Sequence, residues 1–372
     1  MNIGYDAKRA FFNRSGLGNY SRNTILIQNQ YFPENKYYLY TPKIKGAISF
    51  IKAENIKIIT PEFSLFKAFK PLWRSYGISR QLKADKIDLY HGLSNELPFN
   101  IHNTGIKSVV TIHDLIFIRY PENYKTIDRK IYKKKFKYSS EIADKVISIS
   151  QQTKADLINF FRINPEKIEV VYQGCDPIFY KVIEKDKRRR IIEELGLPKQ
   201  YILYVGTIEK RKNLLSLVEA IDKGKIDIPL VVVGKLTVYA SIVKSYISKN
   251  DLKNVFFLEN LTLENLAALY QAAEIFIYPS VFEGFGLPIL EALNSRVPVI
   301  TTIGGCFSET GGAYTKYIDP FNPDEFIDAI KVLLTDSGKS EKIIEEGYRH
   351  ALKFREDKIA AKLMDVYKKV LG

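Results

Sequence analysis

Cysteine is scarce in this chain: two residues in 372, Cys175 and Cys306, far apart in sequence. They offer neither a disulfide framework nor a metal-binding cluster, and a reducing, cytoplasmic location follows as the expectation. The four histidines have no close cysteine or histidine partners, so no zinc pattern is present. Long apolar runs are also missing. None approaches the roughly 18 residues of a membrane-spanning helix, and no early segment combines a basic start, an apolar stretch and a small-residue cleavage site. The expected product is soluble and stays on one side of any membrane. Low-complexity segments and short repeats are absent as well.

What is present is apolar, aromatic and basic. Apolar residues make up 46% and aromatics 13%, enough to fill two cores, and the length exceeds what one core usually supports. Lys and Arg outnumber Asp and Glu by 56 to 42, a formal charge of +14 that points to an anionic partner. Nucleic acid, a phosphorylated small molecule and an acidic membrane surface all fit that sign.

Short β-branched and aromatic runs alternate with amphipathic stretches, the pattern of βα units around parallel sheets. The first half holds NIGYDA, YYLYTP, IKIIT, IDLYHG, SVVTIHD, KVISIS and IEVVYQG; the second holds YILYVGTI, LVVVGK, VFFLEN, IFIYPS, VPVITT and the weaker AYTKYID. Most are apolar on both faces, as strands covered by helices on each side must be. Two doubly wound α/β domains are expected, residues 1–180 and 181–354, divided at the turn and charged run GCDPIFYKVIEKDKRRR. From about Glu341 onward the chain reads as one or two helices, with residues 355–372 as the last segment.

In VFEGFGLPILEA, a buried strand ends just before Glu283, and PILEALNS has helical spacing with Pro288 at the first helical position. Glu283, Gly284, Phe285 and Gly286 then form the loop at the carboxyl end of a parallel strand, where open sheets bind ligands. Glycines there allow close backbone approach, and first-turn amides from Gly286 onward can donate to hydroxyl or phosphate oxygens. Glu291, early in the helix, leans back toward its N-terminus. One carboxylate per sugar ring, each accepting neighbouring hydroxyls, is one reading. The other is a dipole-complementing Glu291 and a solvated Glu283.

In YVGTIEKRKNLLSLVEA, Arg211 and Lys212 stand beside a helix start, a poor place for cations unless an anion joins them. Arg can fork two phosphate oxygens and Lys can add a point charge, so the pair suits a diphosphate; a solvated loop cluster is the competing reading. Asn213 reads as a helix cap. Gly16 and Gly18 precede a helix in NRSGLGNYSRN and could approach a phosphate, but Ser21 stands where a dinucleotide fingerprint has its third glycine or alanine. A nicotinamide enzyme is disfavoured. His113 ends a buried strand in VVTIHD, and His91 holds the parallel position in DLYHG, so each fits a cleft role or a buried structural one.

KTIDRKIYKKKFK carries seven positive charges, with Tyr124, Ile127, Ile131 and Tyr138 at helical spacing and Lys130, Lys133, Lys134 and Lys137 elsewhere on the wheel. FSLFKAFKPLWR interleaves aromatics with cations and holds the single tryptophan, Trp73. Both suit anionic lipid or a polyprenyl-phosphate-linked acceptor, and both also suit ordinary packing with a solvated charged face.

Taken jointly and in order, SGLGNYSR, VVTIHD, GCDPIF, EKRKN and the E-x7-E spacing of Glu283 and Glu291 resemble the retaining glycosyltransferases of family 4, including their mannosyltransferase-like group. The resemblance spans nearly the whole chain. It implies a GT-B fold, two Rossmann-like domains facing across a cleft, with an N-terminal acceptor domain, a C-terminal nucleotide-sugar donor domain and a last helix crossing back to the first domain. It implies Glu283 and the Gly284, Phe285 and Gly286 amides on the donor sugar, Glu291 on the ribose, Arg211 and Lys212 on the diphosphate, His113 near the transferred sugar, and Gly16 near the phosphates on closure. Glu283 and His113 thus stand as the catalytic candidates. The sequence departs from the family pattern at Thr207, where many relatives have Arg, with Lys210 as an added candidate, and at GGCFSETGG around Glu309.

The reaction so implied moves a hexose, mannose from GDP-mannose by preference, from a nucleotide sugar to a hydroxyl of a glycan or lipid-linked acceptor, retaining anomeric configuration, in polysaccharide or cell-surface glycan synthesis. No D-x-D triplet occurs, consistent with chemistry that needs no metal or other cofactor. The same fold could serve a sugar phosphorylase or a nucleotide-sugar epimerase. A basic nucleic-acid-binding protein rests on charge alone, since no zinc-finger, helix-turn-helix or single-strand-binding signature is present. The expected setting is the cytoplasm, with the inner face of the cell membrane as a second surface.

Overall fold

A computed structural model of the chain describes residues 1–13, 16–44, 53–61, 72–335 and 337–372, with side chains described throughout except at 337–340. Chain contacts separate into two compact units, Met1–Gly174 with Glu356–Gly372, and Cys175–Arg355.

The first unit holds a seven-stranded parallel sheet: β1 (Asn2–Asp6), β2 (Lys36–Tyr40), β3 (Ile56–Ile59), β4 (Leu89–Gly92), β5 (Lys107–Ile112), β6 (Lys145–Ser148) and β7 (Ile168–Val170). Their spatial order is β3-β2-β1-β4-β5-β6-β7. The second unit holds β8 (Ile202–Val205), β9 (Leu230–Val233), β10 (Val255–Leu258), β11 (Ile275–Tyr278), β12 (Val299–Thr302) and β13 (Lys316–Ile318), ordered β10-β9-β8-β11-β12-β13. Every strand overlaps a run anticipated from sequence, with β2 and β5 each starting one residue earlier, at Lys36 and Lys107. Ile3, Leu89, Val109 and Val146 in one sheet, and Leu203, Val231, Phe276 and Ile300 in the other, are fully buried, because helices cover both faces. Each sheet reverses its winding direction once. Those switch points lie between β1 and β4 and between β8 and β11, where doubly wound sheets open a crevice at their carboxyl ends.

The units divide at Gly174, earlier than the turn near residue 180, for a local reason. Asp176 accepts from the Ile178 amide at 3.0 Å and caps a 3-10 turn, Pro177–Tyr180, that docks on the second unit. Phe179 meets Tyr270 edge-on at 5.6 Å, and the Ser295 hydroxyl donates to its carbonyl. At the other end, the Arg355 guanidinium lies 3.5 Å over the Tyr180 ring.

The last helix, Glu356–Leu371, packs within the first unit against the helix Gly16–Tyr31. Ile359, Leu363, Val366, Tyr367 and Val370 bury one face, with Glu356 and Asp357 in the first turn and Lys368 and Lys369 in the last, as the helix dipole favours. The Gln28 amide donates to the Ala360 carbonyl at 2.9 Å.

Candidate functional site

The β8–β11 switch point of the second unit gathers the charged residues. After β8 the chain passes Gly206 and turns through a 3-10 segment, Lys210–Lys212, before Asn213 enters the helix Leu214–Lys223. Asn213 is not the ordinary cap expected. It adopts left-handed φ 56°, makes no cap hydrogen bond, donates to the Pro320 carbonyl at 2.7 Å and accepts from Ser216 at 2.8 Å. The neighbouring strand explains how tightly this loop lies: a Cβ on Gly234, past β9, would stand 1.9 Å from the Gly206 carbonyl oxygen.

The loop after β11 meets this turn. The Val281 amide donates to the Arg211 carbonyl at 2.9 Å, which fixes one loop against the other. Glu283 Oε1 then receives Lys212 Nζ at 2.6 Å, Arg211 at 2.7 Å and the Ser280 hydroxyl at 2.6 Å. Arg211 also pairs with Glu209 at 2.6 Å and donates to the Phe282 carbonyl. Lys212 reaches the Tyr278 hydroxyl at 2.5 Å and sits 5.0 Å over that ring. Only 12% of the Glu283 side chain is exposed. Burial would raise its carboxyl, but Lys212 and Arg211 together outweigh that and hold it at about 2. Burial pulls Lys212 below its usual range, against the opposing pull of Glu283. The two cations and the carboxylate expected to hold separate parts of a ligand are therefore one ion cluster.

Gly286 supplies the left-handed residue, φ 88°, that starts the helix Leu287–Asn294. Pro288 is the second helical residue, one later than expected. Gly284 is buried beside it. The Phe285 ring is spent on the core, packed edge-on against Phe354 at 5.6 Å, so only its backbone can serve a ligand. Glu291 lies in the second turn, partly buried, and accepts from the Tyr270 hydroxyl at 2.9 Å. Burial raises its carboxyl to about 7, with Tyr270 opposing and the Asp176 charge adding. Two glutamates nine residues apart inclusive thus occupy opposite electrostatic settings. Past β12, Glu309 lies on the short helix Phe307–Gly311, and its carbonyl accepts from His350 at 3.0 Å.

In the first unit, His113 follows β5 and is 5% exposed. Its Nε2–H donates to the Leu93 carbonyl at 2.9 Å, and burial lowers the ring to about 4. At neutral pH it is uncharged, with Nδ1 as an acceptor: it can receive a hydroxyl hydrogen bond but cannot deliver a proton. His91 carries no such capacity. Its Nδ1 pairs with the Tyr367 hydroxyl at 2.7 Å and its Nε2 with Thr111 at 2.8 Å, so it ties the last helix to the sheet. Gly16 starts its helix exposed, with nothing near an added Cβ, whereas Gly18 is the packing glycine: a Cβ there would stand 1.8 Å from the Asn13 carbonyl oxygen.

The basic segment forms the helix Thr126–Ile142, and its expected apolar seam holds only in part. Tyr124 and Tyr138 are half-buried against Phe117 and Phe99, and Phe136 joins them on Phe117, while Ile127 is 67% and Ile131 46% exposed beside Lys130 and Lys134. Of the second aromatic stretch, residues 63–71 lie outside the described residues; Trp73 is 2% exposed and belongs to the core. Among the described residues, no three His, Cys, Asp or Glu side chains gather as a metal site, and no helix is long and apolar enough to cross a membrane.

Sequence reasoning missed Ser280, Tyr278, Glu209 and Tyr270. The first two stand at the end of the IFIYPS strand run and Glu209 two residues before Arg211, so their proximity was available from the strand ends. Tyr270, on the helix Leu263–Ala272, gives no local signal.

Two family descriptions match the chain: "Glycosyltransferase Family 4" over residues 30–179 and "Glycosyl transferases group 1" over 186–350. The O-antigen chain mannosyltransferase B of Escherichia coli is 27% identical over 287 residues, 75% of this chain and 74% of that protein. Among solved structures, a glycosyltransferase from Rickettsia africae superposes with a TM-score of 0.78 at 20% identity, covering 100% of this chain and 98% of that one. Anabaena Alr3699/HepE in complex with UDP-glucose superposes at 0.76 and 16% identity, over 99% of this chain and 100% of that one. These likenesses give the GT-B architecture.

Proposed function

Starting from a chain that is a glycosyltransferase of the family 4 type, we propose that it is a retaining hexosyltransferase that takes its sugar from a nucleotide donor bound at the β8–β11 switch point. The observation that carries this reading is the ion cluster itself: Arg211 and Lys212 are held by a carboxylate whose three contacts converge on Oε1. That arrangement keeps two cations poised at a sheet edge in a buried setting, where charge–charge interactions are strong. An incoming diphosphate meets preorganised positive charge, and the second oxygen of Glu283 and the Gly284, Phe285 and Gly286 amides receive the donor sugar. Glu291 takes the ribose hydroxyls.

In the transfer step the acceptor hydroxyl oxygen bonds to the anomeric carbon while the bond to the leaving phosphate oxygen breaks. The diphosphate carries away the electron pair, and the hydroxyl proton passes to a phosphate oxygen on the same face. Arg211 and Lys212 stabilise the charge that develops there, the role a divalent cation would otherwise fill, so the reading needs no metal. The first unit is assigned the acceptor, with Nδ1 of His113 accepting from a sugar hydroxyl. Gly16, exposed at a helix start, is kept as a backbone approach to phosphate.

The mannosyltransferase of Escherichia coli supports mannose as the transferred sugar, with a glycan or lipid-linked acceptor in cell-surface polysaccharide synthesis. The UDP-glucose bound by the Anabaena protein makes a UDP-linked hexose the competing donor. The exposed Ile127, Lys130, Ile131 and Lys134 support peripheral contact with an anionic membrane from the cytoplasmic side. Thermal unfolding with a panel of nucleotide sugars tests the donor reading, because a bound donor stabilises by mass action. GDP-mannose is expected to raise the midpoint most. No shift with any nucleotide sugar or nucleoside diphosphate overturns the reading.

A further inference from the structure

Packing alone does not account for Tyr270. It lies in the last turn of the helix Leu263–Ala272, which Thr262 caps by accepting from the Asn265 amide at 3.1 Å. The side chain is fully buried. Its ring is held on two sides, by Phe276 of β11 at 5.2 Å between centroids and by Phe179 edge-on at 5.6 Å. A phenylalanine would fill that space and bury no hydroxyl. The hydroxyl is accommodated because it has an acceptor, Glu291 Oε2 at 2.9 Å, and a buried O–H left without one is costly. Burial, and then the Glu291 charge, hold the phenol well above its ordinary range, so it stays protonated and donates.

The carboxylate held this way is also anchored through its helix. Glu291 stands on Leu287–Asn294, and the end of that helix is tied to the segment that opens the second unit. The Asn294 side-chain amide donates to the Cys175 sulfur at 3.3 Å, and the Ser295 hydroxyl donates to the Phe179 carbonyl at 3.1 Å. Phe179 therefore packs on Tyr270 and also holds the end of the helix that carries Glu291. Among the described residues, no second side chain hydrogen-bonds the Glu291 carboxylate, which leaves Oε1 for a ligand. Cys175 and Asp176, from the opening segment, are the other titratable groups that feel or exert its charge. Burial raises the Glu291 carboxyl; the Tyr270 hydrogen bond opposes that, and the Asp176 charge adds to it.

We propose that Tyr270 is a positioning residue for the nucleotide sugar: its hydroxyl holds Oε2 of Glu291 so that Oε1 meets the two ribose hydroxyls already oriented. The proposal rests on the reading of Glu291 as the ribose ligand. An untethered glutamate loses rotamer freedom when it grips a ligand, whereas Tyr270 imposes that loss at folding, before the nucleotide arrives. The same hydrogen bond favours the charged carboxylate, the stronger acceptor for hydroxyls. Both effects act on the ribose and leave the diphosphate and the base untouched.

Tyr270→Phe removes the hydroxyl and keeps the ring. The intact wild type and variant are titrated calorimetrically at pH 8 with GDP and with 2′,3′-dideoxy-GDP, and with the matching uridine pair in parallel. The variant should bind the ribonucleotide roughly tenfold more weakly, the loss of one charge-assisted hydrogen bond, and the dideoxy form as tightly as the wild type does. Across the neutral range, the pH above which ribonucleotide binding tightens should lie higher in the variant, because the protonated carboxyl is favoured once the donor is gone. In a Glu291→Ala background, Tyr270→Phe should make no further difference. Equal weakening of the two nucleotides, no weakening of the ribonucleotide, an unmoved pH dependence, or a further loss in the Glu291→Ala background overturns the proposal. A wild type that binds the ribonucleotide and its dideoxy form equally well sinks the ribose reading of Glu291 itself.

Discussion

Replacing Glu291 by Gln should stabilise the protein at alkaline pH while weakening nucleotide binding. The Glu291 carboxyl is held at about 7 in the fold against an ordinary 4.5. A carboxyl raised by folding binds its proton more tightly in the native state, so ionising it costs native stability. That cost is absent below pH 4.5, grows between 4.5 and 7, and is complete above 7. At about 1.36 kcal/mol per pH unit it amounts to about 3 kcal/mol at most. Glutamine removes it and keeps a carbonyl oxygen for the Tyr270 hydroxyl, which donates to Glu291 at 2.9 Å. At pH 8 the variant should therefore unfold several degrees higher, on the order of 5 to 10 °C for a unit of this size, and near pH 4 it should match the wild type. Ribose hydroxyls would favour the ionised carboxylate. Nucleotide binding should then release a proton near pH 7 and tighten as pH rises through that value, readable by calorimetry in buffers of different ionisation enthalpy. Equal unfolding temperatures at both pH values, or proton-neutral binding in the wild type, would refute the assignment.

Glu283 predicts the opposite slope. Its carboxyl is depressed from 4.5 to about 2, so its contribution is present above pH 4.5 and lost as pH falls toward 2. Urea titrations should show the wild type losing about 3 kcal/mol across that window and Glu283→Gln lacking the dependence. For the basic helix, vesicles rich in anionic lipid should sediment the wild type at low salt, and Ile127→Ser with Ile131→Ser should abolish this while leaving nucleotide binding intact. Failure of the wild type to sediment removes the membrane surface from the account. Gly92→Ala should be destabilising by several kcal/mol, since a methyl 2.2 Å from the Glu96 carbonyl oxygen forces that loop to move; an unchanged unfolding temperature contradicts the close packing.

The sheets were legible because strands buried on both faces read as short apolar runs, and IFIYPS or LVVVGK admit little else. The donor-side loops were legible for a related reason: glycine and proline at Gly284, Gly286 and Pro288 punctuate a strand-to-helix turn whatever the chain does elsewhere. Partnership across the fold was not. Glu283 reads as a sugar ligand in isolation, and only the meeting of the β8 and β11 loops turns it into the counter-ion of Arg211 and Lys212. His91 and His113 hold parallel strand-end positions, yet Tyr367, more than 270 residues onward, occupies one and leaves the other with an open acceptor. Ile127 and Ile131 fit a buried seam by spacing, but it is Tyr124 and Phe136 that pack half-buried on Phe117, and both isoleucines are left exposed. Arg74, the last residue of FSLFKAFKPLWR, reads by sequence as one of that stretch's surface cations, and its pairing with Asp6 and Glu96 across the fold was not legible.

The central claim is that Arg211 and Lys212, clamped by Glu283, form a diphosphate site. Calorimetric titration of the wild type and of the Arg211→Gln, Lys212→Gln double variant, with a nucleoside diphosphate and with the matching nucleoside, tests it directly. The account predicts a loss of roughly a hundredfold or more for the diphosphate, two charge-assisted contacts at about 1.5 kcal/mol each or above, with little change for the nucleoside. Equal weakening of both ligands, or no weakening of the diphosphate, would contradict it.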